Sequence, residues 1–242
     1  MFTLQKVTKS YLGRRGVVHA LREASFTIER GSFATVTGPS GSGKTTLLLT
    51  LGGLIRPTSG RVMFHADDLG ALDERRLADY RNRNVGFVLQ SFNLIPYLSA
   101  HENVMVPMSL GRSTSTNGDH GRRAKALLDR LGLADRMDHL PRELSVGQQQ
   151  RVAIARALGN DPEVILADEP TGNLDPALAA EILDILRDLN RREGRTVVMV
   201  THSPEAAKAG HQHIRLAAGE CMAASGATVA AGTGGIHGIG AS

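Results

Sequence analysis

The sequence predicts a mixed α/β fold: an α/β core with an antiparallel sheet in its N-terminal part and a helical subdomain inserted into it. Three patterns carry that expectation. Residues 24–28 alternate, with Ala24, Phe26 and Ile28 apolar and Ser25 and Thr27 between them, the period of a half-buried strand. Short apolar runs at 33–37, 164–167 and 196–200, most of them rich in β-branched residues, are separated by long helical patterns, as suits parallel strands covered on both faces. Between residues 92 and 158 no convincing strand pattern occurs, and the apolar spacing is helical.

The 242 residues, 41% of them hydrophobic, suffice for one large domain with a buried core. The expected division is an α/β core over 1–91 and 159–220, a helical subdomain over 92–158, and a loose Gly/Ala-rich tail over 221–242. The strand at 33–37 runs into GPSGSGKT at 38–45, and an apolar helix follows from Thr46. A further strand at 85–89 ends in Gln90, and a polar Gly/Ser/Thr/Asn loop interrupts the helical segment near 111–121.

In LSVGQQQRVAIARAL, at 144–158, Ser145 and Gln148 form the pattern of a capping box. Val152, Ile154, Ala155 and Leu158 continue the helix behind it. The tip is small or polar, so its free N–H groups and partial positive charge suit an anion arriving from outside. After the strand at 164–167, Asp175-Pro176 opens a helix with Leu178, Ile182, Ile185, Leu186 and Leu189 on one face.

The formal net charge of +4 comes from scattered basic pairs such as Arg122/Arg123 and Arg191/Arg192. Without an aromatic-studded basic stretch or zinc-type spacing, no nucleic-acid partner is expected. The longest apolar run, near 47–55, is far short of the roughly 20 residues that span a bilayer. No signal-peptide layout occurs either, so the chain is expected to be soluble and not secreted. A lone Cys221 makes no internal disulfide, and His211, His213 and His237 match no zinc spacing.

GPSGSGKT satisfies the G-x-x-x-x-G-K-[ST] pattern in the required strand-to-helix context. Gly38, Gly41 and Gly43, with Pro39, Ser40 and Ser42 between them, let backbone N–H groups close around phosphate oxygens. Lys44 reaches the terminal phosphates, the Thr45 hydroxyl can ligate Mg²⁺, and Thr46 starts the helix. VILADEP at 164–170 ends in two carboxylates that a period of two sends to different sides. Asp168 then supports the Mg²⁺ shell, and Glu169 positions and polarises a water for attack on phosphorus. Gln90 and His202 each end an apolar strand, where ligands of open α/β sheets lie. Taken singly, such a residue is more often an ordinary cap or surface residue.

The ordered set GPSGSGKT, Gln90, LSVGQQQR, VILADEP, GNLD at 172–175 and VTHS at 200–203 resembles the nucleotide-binding subunit of ABC transporters, up to about His213. LGGLIRPTSG at 51–60, QSFNLIP at 90–96 and GNLD resemble most the ATPases of the macrolide-export and lipoprotein-release group. The resemblance implies a P-loop fold with a RecA-like mixed sheet, ATP and Mg²⁺ as ligands, and a homodimer sandwiching two nucleotides head to tail. It also implies a separate membrane permease, export or extraction from the membrane, and a peripheral place on the cytoplasmic face. Through it Ser145, Gly147 and Gln148 meet the ATP of the other subunit, Asp175 communicates across the interface, His202 senses the γ-phosphate and Tyr11 stacks on adenine. Gln90 joins the Mg²⁺ site, and Phe92, Tyr97 and Glu102 fall in the segment facing the permease.

One residue departs from the family pattern, Val146 in place of glycine in the signature; helical dihedrals accommodate valine, so the cap is expected to survive. Two rival readings are weaker. Soluble ABC ATPases of DNA repair carry long coiled coils, and those of translation usually carry two ATPase units in one chain; neither feature is present. A P-loop kinase would leave LSVGQ, Glu169 and His202 without a role.

Overall fold

The computed structural model describes residues 1–13, 16–110 and 117–225. The first sheet is antiparallel, in the order β2-β1-β4-β5: β1 (Phe2–Gly13), β2 (Gly16–Ile28), β4 (Ser59–Phe64) and β5 (Asp67–Asp68). Alternation works there as expected, since Ala24, Phe26 and Ile28 are buried while their neighbours are not.

The second sheet runs β10-β9-β3-β8-β7-β6, and its strands are β3 (Phe33–Thr37), β6 (Val85–Val88), β7 (Val164–Asp168), β8 (Thr196–Val200), β9 (Gln212–Ala217) and β10 (Glu220–Ser225). Five are parallel and β10 alone runs antiparallel. All four residues 164–167 of β7 are buried, so this strand is covered on both faces. Ile165 and Ala167 face one hydrophobic cluster, with Val197 and the helices beyond it; Val164 and Leu166 face the other, with Leu47 and Leu51.

The seven helices among the described residues are α1 (Lys44–Leu51), α2 (Glu74–Asn84), α3 (Ala100–Leu110), α4 (Asn117–Arg130), α5 (Val146–Ala157), α6 (Pro176–Arg191) and α7 (Pro204–Ala207). α1 starts at Lys44, two residues earlier than expected, because Gly43 takes the left-handed N-cap at φ 97°. Segment 92–158 is helical, with α3, α4 and α5 and two short 3₁₀ turns. Its apolar residues, among them Val104, Leu128 and Ile154, join the cluster that includes Ile165 and Val197 of the sheet. The helical part therefore shares its core with the sheet. Residues 117–121, expected in a polar loop, belong to α4; the rest of that loop lies largely outside the described residues.

The tail begins later than expected. Residues 221–225 continue β10 against β9, joined by a two-residue turn in which Ala218 and Gly219 have φ of 49° and 85°. Consecutive positive φ values suit the right-handed twist of a hairpin, which explains the pairing. Cys221 packs against the core from this strand. The remainder of the tail, His237 included, lies outside the described residues.

No helix among the described residues is long and apolar enough to cross a membrane. His211 and His213 serve the sheet: the Phe33 N–H donates to His211 Nε2 at 3.3 Å, and Thr35 Oγ1 lies 2.8 Å from His213 Nδ1.

Leu166, fully buried on a strand covered on both faces, reports directly on this packing. Leu166→Ala is expected to lower the unfolding free energy by about 2–5 kcal/mol, read from the midpoint of a denaturant melt.

Candidate functional site

The carboxyl ends of β3, β7 and β8 open on one cleft of about 270 Å³, walled by Ser40, Gly41, Gly43, Lys44, Thr45 and Thr46 on one side. Gln90, Asp168, Glu169 and His202 line the other side, joined by Ala20 and Val200. Sequence patterns did not signal these last two, since they contribute position and apolar surface without a motif.

The glycines of the loop are required sterically. A Cβ on Gly38 would come within 2.1 Å of the Leu216 carbonyl oxygen, and one on Gly43 within 2.0 Å of the Ala20 carbonyl oxygen. Gly41 has φ 76° and open space around it. Behind the loop the Gly219 N–H donates to the Ser42 carbonyl at 3.2 Å, so the turn before β10 braces it. The buried Ser42 Oγ has no hydrogen-bond partner. Lys44 is 5% exposed and turns its Nζ back on the loop, donating to the carbonyls of Gly38 at 2.9 Å and Pro39 at 3.0 Å. Burial pulls its ammonium below the usual lysine range, against the charges of Glu169 and Asp168. An anion in the cleft would relieve that burial.

Thr45 Oγ1 donates to Asp168 Oδ1 at 3.3 Å. Burial pushes the Asp168 carboxyl above the ordinary range, opposed by the Thr45 bond and by Lys44 and His202. Thr45, Gln90 and Asp168 offer oxygen donors, which suit a hard cation such as Mg²⁺.

The two acidic side chains do separate, for a different reason than strand alternation. β7 ends at Asp168, and Glu169 leaves it with a left-handed φ of 46°. The Glu169 N–H still donates to the Val200 carbonyl of β8 at 3.0 Å. The carboxylate lies against His202: Oε1 is 3.0 Å from Nε2, and the His202 backbone N–H donates to Oε2 at 3.2 Å. Glu169 is thus the buried partner, at 8% exposure, of an exposed imidazole.

The signature residues stand elsewhere. Ser145 caps α5 through the expected box: its Oγ accepts from the Gln148 N–H at 3.3 Å, and Gln148 Oε1 accepts from the Ser145 N–H at 2.9 Å. Val146 sits outside, 45% exposed, and leaves the cap undisturbed. Gly147 is buried, and a Cβ there would come within 3.0 Å of Leu178. None of Ser145, Gly147 and Gln148 lines the cleft. Tyr11 does not line it either; it lies 42% exposed on β1 with the Lys9 ammonium 5.1 Å from its ring centre. Asp175 accepts from the N–H groups of Ala177 and Leu178 at 3.0 and 3.1 Å as the cap of α6. Glu102 closes a capping box on α3 with Ser99, and Tyr97 is 77% exposed.

Two residues that hold the segment after Gln90 carry no motif of their own. Buried Asn103 accepts from the Ile95 N–H at 2.8 Å and donates to the carbonyls of Ile95, Leu98 and Ser99. Arg156 donates to the carbonyls of Phe92 and Asn93.

A family model described as ABC transporter matches residues 21–172. The chain is 45% identical over 227 residues to the macrolide export ATP-binding/permease protein MacB of Syntrophobacter fumaroxidans, across 94% of this chain and 32% of that protein. It is 43% identical over 220 residues to the lipoprotein-releasing system ATP-binding protein LolD of Myxococcus xanthus, across 91% of this chain and 97% of LolD. A solved dimeric structure of the ATP-binding cassette MJ0796 of Methanocaldococcus jannaschii, in a post-hydrolysis state bound to ADP and Pi, matches with a TM-score of 0.86. That match is 41% identical and covers 93% of this chain and 97% of the cassette. The motif order, the cleft and these likenesses agree: the chain belongs to the ABC transporter family of ATPases, in the group of the macrolide-export and lipoprotein-release ATP-binding proteins.

Proposed function

We propose that two copies of this chain close head to tail around two ATP molecules and, by closing and reopening, drive a separate membrane permease in export or extraction from the membrane. The observation that carries the dimer is the separation of two anion-binding elements on one chain: the 38–45 loop opens on the cleft, while the Ser145 tip lies outside it. Each needs a phosphate, and a head-to-tail partner brings both to the same one. The dimeric MJ0796 cassette supports this reading, and the names of MacB and LolD support a permease and an outward direction. The chain then works on the cytoplasmic face of the membrane, with segment 92–97 and Glu102 towards the permease. The described residues of segment 92–158 share the core of the sheet and include no coiled coil for a DNA-repair role.

Within each site the backbone of Gly38–Thr46 cradles the phosphates, and Lys44 exchanges its two carbonyl partners for β- and γ-phosphate oxygens. Tyr11 stacks on adenine from β1. Thr45, Gln90 and Asp168 would hold Mg²⁺, which would supply positive charge against the phosphates. Glu169 accepts a hydrogen bond from the attacking water and aims it at the γ-phosphorus. His202, already against Glu169, stands beside the same phosphate. Ser145, Gly147 and Gln148 of the other copy close the site, bringing a helix N-terminus to the γ-phosphate.

Lys44→Ala is expected to abolish measurable hydrolysis and most nucleotide binding, since it deletes the charge facing the phosphates. Glu169→Gln keeps ATP binding and loses roughly 10²–10⁴ in rate; equal loss of binding in both variants would contradict their separate roles. Ser145→Arg sets a bulky cation at the helix tip, so binding persists while hydrolysis fails. Dimers that mix Ser145→Arg chains with Lys44→Ala chains place both lesions in one composite site and leave the other whole. Their ATPase activity, measured with permease if turnover needs it, is expected to exceed that of either single variant. No recovery in verified mixed dimers, with one site known to suffice, would exclude the head-to-tail arrangement.

A further inference from the structure

Gln90 has a weak hold on its own place. It follows β6 in an exposed turn, and the hydrogen bond that closes the turn runs from the Phe92 N–H to the Leu89 carbonyl at 3.0 Å. The next two residues are strained, with left-handed φ values of 57° at Phe92 and 50° at Asn93. Neither is a glycine; asparagine tolerates this conformation but phenylalanine opposes it sterically, and consecutive left-handed residues persist only where their surroundings hold them.

The hold comes from α5. Arg156 Nη1 donates to the Asn93 carbonyl at 2.5 Å and Nη2 to the Phe92 carbonyl at 2.6 Å, a planar fork across two successive peptide groups. No carboxylate among the described residues forms an ion pair with Arg156, although burial pushes its guanidinium below the usual arginine range. A cation withdrawn from water without a counter-ion is costly, and here carbonyl dipoles alone receive it. An ordinary packing role would be met more cheaply by leucine or methionine. What the guanidinium adds is two fixed donors at the one turn that needs them.

We propose that Arg156 is a positioning residue for Gln90: its guanidinium holds the left-handed pair Phe92–Asn93 and thereby aims Gln90 into the cleft. This rests on the placement of Gln90 in the hydrolytic site. Asn103 performs a parallel task further along, fixing residues 95–99 from α3, so the segment after Gln90 is held by two different helices. Arg156 does not line the cleft, and its hydrogen bonds go to the turn, so its effect on turnover passes through the turn.

Three variants of the full chain test this: Arg156→Lys, which keeps the charge but not the fork, Gln90→Ala, and the two combined. Arg156→Lys is expected to leave MgATP binding within about twofold while lowering kcat about tenfold. Added to Gln90→Ala it should cost less than about twofold more, because the residue it positions is already gone. Amide hydrogen exchange over residues 90–95 should quicken in Arg156→Lys while that of β7 is unchanged, a readout independent of activity. If the lysine variant melts early, Arg156→Gln serves in its place with the same expectations. Losses that multiply in the combined variant, or wild-type kcat together with wild-type exchange, overturn the proposal. A wild-type rate in Gln90→Ala would refute the placement of Gln90 itself, and this inference with it; a slow Gln90→Ala beside a normal Arg156→Lys refutes the inference alone.

Discussion

Lys44 is buried, with its ammonium bonded to two carbonyls among the described residues, and the site is arranged around that constraint. The side chain turns back on its own loop, where Nζ donates to the Gly38 and Pro39 carbonyls. That retreat needs the carbonyls of Gly38 and Pro39 to point inward, which in turn needs backbone conformations that Gly38 and Gly43 can adopt and the close approach to Leu216 and Ala20 that they permit. β3 must then end at the loop, with parallel neighbours β8 and β9 on both sides. With β7 beside β8, the same ends present Asp168 and His202 across the cleft.

The acidic side of the cleft answers to the same physics. Asp168 and Glu169 stand near enough to the desolvated Lys44 to act on its charge, and the Thr45 hydroxyl donates to Asp168. Burial raises the proton affinity of Asp168, so its negative charge is held at a cost. Sites that act on charge are often unstable alone for this reason. The left-handed Glu169 is a second such cost, held by the Val200 carbonyl and by the Gly172 N–H, which donates to the Glu169 carbonyl at 3.1 Å.

Much of this was legible in the sequence because it is local. A glycine pattern between strand and helix, a Ser145–Gln148 capping box and a carboxylate at a strand end are each written within about eight residues. The antiparallel alternation at 24–28 was legible for the same reason. What escaped were contacts between distant segments. Arg156 reads as an ordinary solvated helix residue, yet it reaches 63 residues back to Asn93. Gly147 reads as one more small residue at an exposed tip, and only the packing of α6 shows that it is buried against Leu178. Glu169 looked like the next residue of a strand, because nothing in VILADEP marks where the backbone turns over. β10 was hidden by its composition, since alanines carry little strand signal and the pairing depends on the Ala218–Gly219 turn.

These distant contacts converge on one element. α5 is twelve residues, about 18 Å of rigid rod. Its first turn presents Ser145 outward; its middle inserts Gln150, whose Nε2 donates to the Pro170 carbonyl at 2.9 Å just beyond Glu169; its last turn carries Arg156 to Phe92 and Asn93. The left-handed turns at Glu169 and at Phe92–Asn93 are therefore tied to a helix whose tip, on the proposed head-to-tail reading, meets the partner's nucleotide. A rigid rod does not bend to absorb a displacement at its end. If the tip moves when two copies close, Gln150 and Arg156 move with it, and both strained turns shift relative to β7 and the loop. Strained conformations have steep energy surfaces, so small displacements change their balance most. On that reading, the helix whose tip meets the partner is the same one that bonds the turn after Gln90 and the residue after Glu169, so a displacement of the tip reaches both.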